Sequence, residues 1–189
     1  MLSITLTVNK LSALSYLSSV KVLENFKIKV LNEYEVEIDD KKYNIKKKTS
    51  LTEVIYSFEK NSLFGRKNMY LKFSILPRKD GVTISIDGDN KLLERFDEKS
   101  FINGIMVEDA ENVASSKTLM TLRVKRDDIS EVINMALSKS INSTLLLWLS
   151  SENKYVRMKI KNGELVEKVG EFSILGENVD VLIKQLAAT

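Results

Sequence analysis

The chain has no histidine and no cysteine in 189 residues, and its only proline is Pro77. Histidine is the usual general base near neutral pH, and cysteine is the usual soft metal ligand and thiol nucleophile. Their absence removes Ser–His–Asp and Cys–His catalysis, disulfides, thiol redox, the common zinc sites and axial haem ligation by either residue. Carboxylates, Lys, Tyr and Ser remain for an enzyme to use, but GxxxxGK[ST], GxGxxG and GxSxG are all missing. No catalytic residue, metal ligand or cofactor is assigned on this basis.

Long apolar runs are lacking too. The purest is Leu145–Leu149, whereas a membrane helix needs about 20 such residues. The opening MLSITLTVNK alternates like a strand and has neither a basic nor an apolar leader region, so no signal peptide is expected. These readings point to a soluble, cytoplasmic protein without a membrane span. A strong excess of one charge is also absent. Lys plus Arg is 29 against 26 Asp plus Glu, a net charge of +3 that is not segregated along the chain. Dedicated polyanion binders carry a larger basic excess.

What is present is a folded composition, 43% hydrophobic and 29% charged, which suffices for a real core. The wealth of Lys, Glu and Ile fits a thermophile and an AT-rich genome equally well.

Periodicity divides the chain into elements. Ser3–Val8 alternates as a strand. Asn9 can cap a short helix with Leu11, Leu14 and Leu17 on one stripe. The period then becomes two: Phe26, Ile28 and Val30; then Tyr34, Val36 and Ile38; then Tyr43 and Ile45 after Asp39-Asp40-Lys41. Such runs predict antiparallel strands with one wet face. Residues 51–60 fit a helix through Leu51, Val54, Ile55 and Phe58, or a strand through Val54, Tyr56 and Phe58; the density of β-branched and aromatic residues favours the strand. Asn61–Asn68 reads as a polar loop. Met69–Ile75 and Val82–Ile86 flank the turn Pro77–Gly81 as a hairpin. A helix carrying Leu92, Leu93, Phe96, Phe101, Ile105 and Met106 follows, weakened by Gly104. Glu108–Lys117, with Ala114-Ser115-Ser116, reads as a boundary between domains 1–115 and 116–189.

The second part reads β-α-β-β-β-α. Met120, Leu122 and Val124 form a strand, and Asp128 and Glu131 open a helix as a capping box. Thr144–Leu149 is a wholly apolar, central strand in which Trp148 is a core residue. Val156–Ile160 and Leu165-Val166 are joined by the hairpin dipeptide Asn162-Gly163. Val179, Leu182, Ile183 and Leu186 suit a final helix.

Several clusters carry candidate chemistry. Lys41, Lys42, Tyr43, Lys46, Lys47 and Lys48 form the best nucleic-acid candidate, with lysines for phosphates and Tyr43 to stack on a base. A charged strand edge beside the acidic Glu33–Asp40 is the commoner origin of such a run. Asp87-Gly88-Asp89-Asn90 looks like a calcium loop but breaks its ligand alternation, so a turn with a helix cap explains it better. Glu108, Asp109 and Glu111 read as a solvated face. Tyr34, Tyr56, Phe58 and Phe73 lie on strands of one sheet, together with Tyr43 and Tyr70. If that sheet curls around a helix, they line an apolar pocket with Leu93, Phe96 and Phe101; if it packs flat, they are core.

The order of elements in residues 1–115 resembles the helix-grip fold of the START-like, or SRPBCC, superfamily. The likeness is carried by ITLTVNKLSALSYLSSV, by the meander VIYSFEKNSLFGRKNMYLKFSILPRKDGVTISIDGD and by the closing helix NKLLERFDEKSFINGIMV. The superfamily has no diagnostic motif, so no functional residue is carried over. The resemblance implies an α+β fold, a curved antiparallel sheet packed on helices, that holds a hydrophobic small molecule or lipid between sheet and last helix. The expected function is therefore non-catalytic binding of such a ligand. The alternative is a structural or interaction subunit, a homo-oligomer or one with a protein partner, that contacts nucleic acid through Lys41–Lys48.

Overall fold

The computed structural model describes residues 1–62, 65–111, 116–152 and 154–186. The fold is α+β, and the chain falls into two compact units, Met1–Glu108 and Asp109–Thr189.

The first unit opens with β1 (Leu2–Leu6), α1 (Lys10–Ser18) and a 3-10 turn over Val20–Phe26. A meander follows: β2 (Lys29–Val30), β3 (Glu35–Ile38), β4 (Lys41–Thr49), β5 (Glu53–Ser62), β6 (Gly65–Arg78) and β7 (Gly81–Gly88). Then come α2 (Asn90–Leu93) and α3 (Glu98–Asp109). The seven strands form one strongly curled antiparallel sheet in the order β1-β7-β6-β5-β4-β3-β2. Each strand pairs with the next through a local connection, and β1 joins the far edge by pairing Leu2–Leu6 with Val82–Ile86. The alternation read from the sequence places the core: Val36 and Ile38, Tyr43 and Ile45, Val54, Tyr56 and Phe58, Leu71 and Phe73, and Val82, Ile84 and Ile86 are all buried.

Helix α1 lies against β5, β6 and β7. The Asn9 side chain accepts from the Leu11 amide at 2.8 Å and caps its start, as expected. At its other end the Tyr56 hydroxyl donates to the Leu17 carbonyl at 2.6 Å, and Lys47 Nζ donates to the Ser18 carbonyl at 2.8 Å. Both bonds satisfy carbonyls that a helix C-terminus leaves without intrahelical partners. On α3, Gly104 packs on Tyr16 so closely that a Cβ would lie within its ring. That ring is fixed by an edge contact with Phe101 at 5.6 Å and by the Asn25 amide, which donates to its hydroxyl at 2.9 Å. Gly104 is thus a packing residue rather than a weak point in the helix. Gly104→Val is expected to destabilise the protein by about 1–3 kcal/mol through overpacking, checked by urea denaturation.

Residues 51–60 fall largely in strand β5, which starts at Glu53, as the aromatic density favoured. Three other expectations for this unit are corrected. The alternation Phe26–Val30 is mostly not a strand: Phe26 ends the 3-10 turn, and Lys27 follows at φ 55°, a left-handed residue that breaks extension. The Asn25 side chain, bonded to the Val22 carbonyl at 2.9 Å, holds that turn. The single helix over Leu92–Met106 is two, because Asp97 restarts it: its carboxylate accepts from the Ser100 amide at 3.1 Å. The loop over Asn61–Asn68 is shorter than expected, since β5 runs to Ser62 and β6 starts at Gly65; residues 63–64 lie outside the described residues.

The second unit contains β8 (Ser116–Lys125), α4 (Ile129–Lys139), β9 (Thr144–Ser151), β10 (Lys154–Lys161), β11 (Glu164–Val169) and β12 (Asn178–Leu186). Ala114 and Ser115 of the expected boundary lie outside the described residues. The sheet order is β11-β10-β9-β12-β8, so the apolar strand β9 is central. Leu145, Leu147 and Leu149 face Val156, Met158 and Ile160, Val181 and Ile183, and the α4 residues Val132 and Ala136 in one core. Trp148 is also buried, 5.9 Å from the Tyr155 ring. Asn162 and Gly163 take φ of 49° and 78°, the left-handed pair that a tight hairpin requires.

Two readings here are corrected. Asp128 stands at the N-cap of α4, but its side chain makes no capping bond, because a 3-10 turn over Arg126–Asp128 leads into the helix. The predicted final helix is strand β12. Its apolar residues match both periods, but Val179, Val181 and Ile183 alternate into the core, and the strand pairs with β8 on one side and β9 on the other. A helix there would leave the edge of β9 without its partner. Among the described residues, no helix is long and apolar enough to cross a membrane.

Candidate functional site

The aromatic residues proposed as pocket lining divide. Tyr56, Phe58, Phe73 and Phe101 are fully buried, whereas Tyr34 is 67% exposed. Three of these rings, Tyr56, Phe73 and Phe101, pack in one cluster with Phe26 and Phe96. Phe73 stacks on Phe101 at 6.4 Å and meets Tyr56 and Phe26 edge-on at 6.1 and 5.9 Å; Phe96 contacts Phe26 at 5.1 Å and Phe101 at 5.3 Å. Leu93 is half-buried beside the break between α2 and α3. The curled sheet has thus brought these residues together, but their own side chains fill the space where they meet.

The basic run divides as well, for the same reason that made it a strand. On β4, Tyr43 and Ile45 point inward and are buried. Lys42, Lys46 and Lys48 stand on the opposite face, where Lys46 pairs with Glu59 at 3.4 Å and Lys42 lies opposite Glu37. Lys47 shares the Tyr43 side and bonds to Ser18. Lys41 shares it too, at the end nearest the β3–β4 turn. The six residues therefore do not present one continuous basic surface.

Lys41 and Tyr43 instead take part in a different site, a cavity of about 120 Å³ in the first unit. Its apolar wall is Ile38, Tyr43, Met69 and Leu92. Its polar wall is Lys41, Lys67, Lys91 and Arg95, with Asp39 as the only acidic residue among the described lining residues. Three local structures set this up. The β3–β4 turn takes left-handed φ at Asp39 and Asp40, 51° and 64°, a conformation that Asp tolerates and that carries the carboxylate past the strand end. The β5–β6 ladder carries Lys67 and Met69. The short helix α2 and the residues after it carry Lys91, Leu92 and Arg95.

Arg95 joins two of these segments. Its Nη2 donates to Asp39 Oδ2 at 2.5 Å. That hydrogen bond holds the Asp39 carboxyl below the usual carboxylate range, against a smaller opposing desolvation, and the charges of Arg95, Lys91 and Lys41 add to it. A lone carboxylate among four cations leaves the cavity strongly positive. The sequence showed Lys41 and Tyr43 through the lysine run. It held no local signal for Asp39, Lys67, Lys91 or Arg95, which come from separate segments and meet only through the hairpins.

The remaining polar clusters are accounted for structurally. The Asp87 carboxylate accepts from Gly88 N at 2.9 Å and Asp89 from Tyr70 N at 2.9 Å, so that tetrad ties off the end of β7. Glu108 accepts from Ser15, and Glu111 pairs with Lys159. Burial pushes the Tyr16 phenol above its ordinary pKa, against the lowering effect of the Asn25 bond, and pushes that of Tyr155 far above it. Both therefore stay protonated as packing groups. Comparison with known proteins finds no matching family model, no matching curated protein and no matching solved structure.

Proposed function

We propose that the first unit is a non-catalytic binding module for a small amphipathic anion. The apolar part of the ligand lies on Ile38, Tyr43, Met69 and Leu92, and its charged end lies among Lys41, Lys67, Lys91 and Arg95. The observation that carries this reading is the pairing of an apolar wall with four cations and a single carboxylate in one cavity. Ligand sites commonly combine apolar walls with a few convergent polar groups in this way.

The cavity also limits the ligand. At about 120 Å³ it is smaller than the roughly 300–1,000 Å³ of sites for drug-sized molecules. It suits a compact ligand or the head of a longer one. A lipid chain threaded among Phe73, Phe96 and Phe101 is not supported, since those rings touch each other. The element order supports a helix-grip relationship for this unit: a strand and helix, then a curled meander that returns beside the first strand, then a helix on its concave side. In that setting the cavity lies where α2 meets the β3–β4 turn, at the end of the sheet rather than in its middle.

Native mass spectrometry of the purified full chain tests the proposal. The expected result is a co-purified mass, lost on denaturation and absent from a Lys67→Glu/Lys91→Glu variant that keeps the wild-type circular dichroism. A mass retained in that variant removes this cavity as the site.

A further inference from the structure

We infer that the charged end of the ligand is a compact dianion, a phosphate monoester on a small apolar body, rather than a carboxylate. This rests on the amphipathic-anion reading and specifies its ligand class.

The argument is one of charge and size. Lys41, Lys67, Lys91 and Arg95 carry four positive charges into the cavity wall, and Asp39 returns one. A carboxylate ligand would neutralise one more and leave an excess on groups held close together. A phosphate monoester has its second ionisation near pH 6 and so carries about −1.5 to −2 at neutral pH, with three acceptor oxygens. That matches lysines converging from β4, β6 and α2, each a mobile point charge able to reach a different oxygen. Arg95 differs from the lysines in kind. Its guanidinium is planar and is anchored from the β3–β4 turn by Asp39 at 2.5 Å, so it meets an incoming oxyanion already oriented.

Asp39 has a second effect. It places a negative charge at the polar wall, which offsets part of the lysines' attraction in the same proportion for a monoanion and a dianion. A monoanion gains the attraction of the lysines and loses part of it to Asp39. A dianion gains about twice the attraction for a group of similar size. The apolar wall of Ile38, Tyr43, Met69 and Leu92 then excludes free inorganic phosphate as the best ligand, because it would leave that wall unused. With about 120 Å³ available, the apolar body that enters is of the order of one ring.

Isothermal titration of the full chain at low salt with phenyl phosphate, benzoate and inorganic phosphate tests this. The two aromatic probes share a ring and differ in charge. Phenyl phosphate is expected to bind about tenfold tighter than benzoate, a separation that one extra tenfold step in Kd defines. It is also expected to bind more tightly than inorganic phosphate. At pH 5, phenyl phosphate falls below its second ionisation and is expected to lose most of this advantage, while benzoate is still ionised. The charged groups around the cavity are Asp39, Lys41, Lys67, Lys91 and Arg95, with the Tyr43 phenol. The second ionisation of the phosphate monoester lies between the two pH values, and Asp39, held below the usual carboxylate range by its bond to Arg95, is ionised at both, so the change belongs to the ligand. Lys67→Glu/Lys91→Glu is expected to lose phenyl phosphate binding by more than about tenfold. Equal affinity for benzoate and phenyl phosphate, both lost in that variant, overturns the dianion and leaves the amphipathic-anion module standing. Binding of neither aromatic probe, or binding unchanged in the variant, overturns both.

Discussion

Phe73→Ala is expected to destabilise the protein by about 3–5 kcal/mol, the range for deleting a fully buried aromatic ring. Phe73 is 0% exposed and sits at the centre of the aromatic cluster, where it meets rings from three different segments: Phe26 before β2, Tyr56 on β5 and Phe101 on α3. Removing it opens a cavity that none of these can close without moving a backbone element. Dispersion and burial are lost on three sides at once. Phe73→Leu keeps most of the volume and is expected to cost clearly less. Urea denaturation followed by far-ultraviolet circular dichroism measures both. A loss below 1 kcal/mol for the alanine variant would mean that the ring does not hold sheet and helix together.

Leu147→Ala is expected to cost about 2–5 kcal/mol, and it tests the second unit in the same way. Leu147 is 0% exposed on the central strand, opposite Met158 on β10 and Ile183 on β12. Its side chain packs into the core that includes Val132 and Ala136 of α4. The chain has one tryptophan, Trp148, which is the next residue and is buried beside Tyr155. Its fluorescence therefore reports the unfolding of this sheet directly. An earlier urea midpoint in the fluorescence transition is the expected outcome. An unchanged midpoint would contradict the placement of β12 beside β9, since a helix at 178–186 would not form that wall of the core.

Leu182 lies where two periodicities overlap in the last element. A helix reading needs Val179, Leu182, Ile183 and Leu186 on one stripe, and the sequence provides them. The strand reading needs Val179, Val181 and Ile183, and the sequence provides those as well. Local spacing matches both periods, and only the pairing with β8 and β9 decides between them, because it satisfies the backbone groups of three strands. Residues 51–60 were equally two-sided, and there aromatic and β-branched content favoured the strand found. Phe26 erred in the other direction: the alternation was present, but Asn25 and Lys27 supplied side-chain and left-handed geometry that a 3-10 turn uses better than a strand does.

The amino-acid sequence alone determined which chemistries are closed to this protein, since without histidine or cysteine the usual bases, thiols and soft metal ligands do not exist in any fold. It also determined the α+β class, the antiparallel meander of the first unit and the inward set of most of its strands, because a period of two assigns faces residue by residue. Tertiary structure decided what the faces do. Curling of the first sheet brought Phe26, Tyr56, Phe73, Phe96 and Phe101 into contact with one another. Alternation split the lysine run between two surfaces, which no reading of consecutive residues reveals. The meeting of Asp39, Lys67, Lys91 and Arg95 depends on a turn, a hairpin and a short helix arriving at one place, so this charged cluster has no counterpart in any local stretch of the sequence.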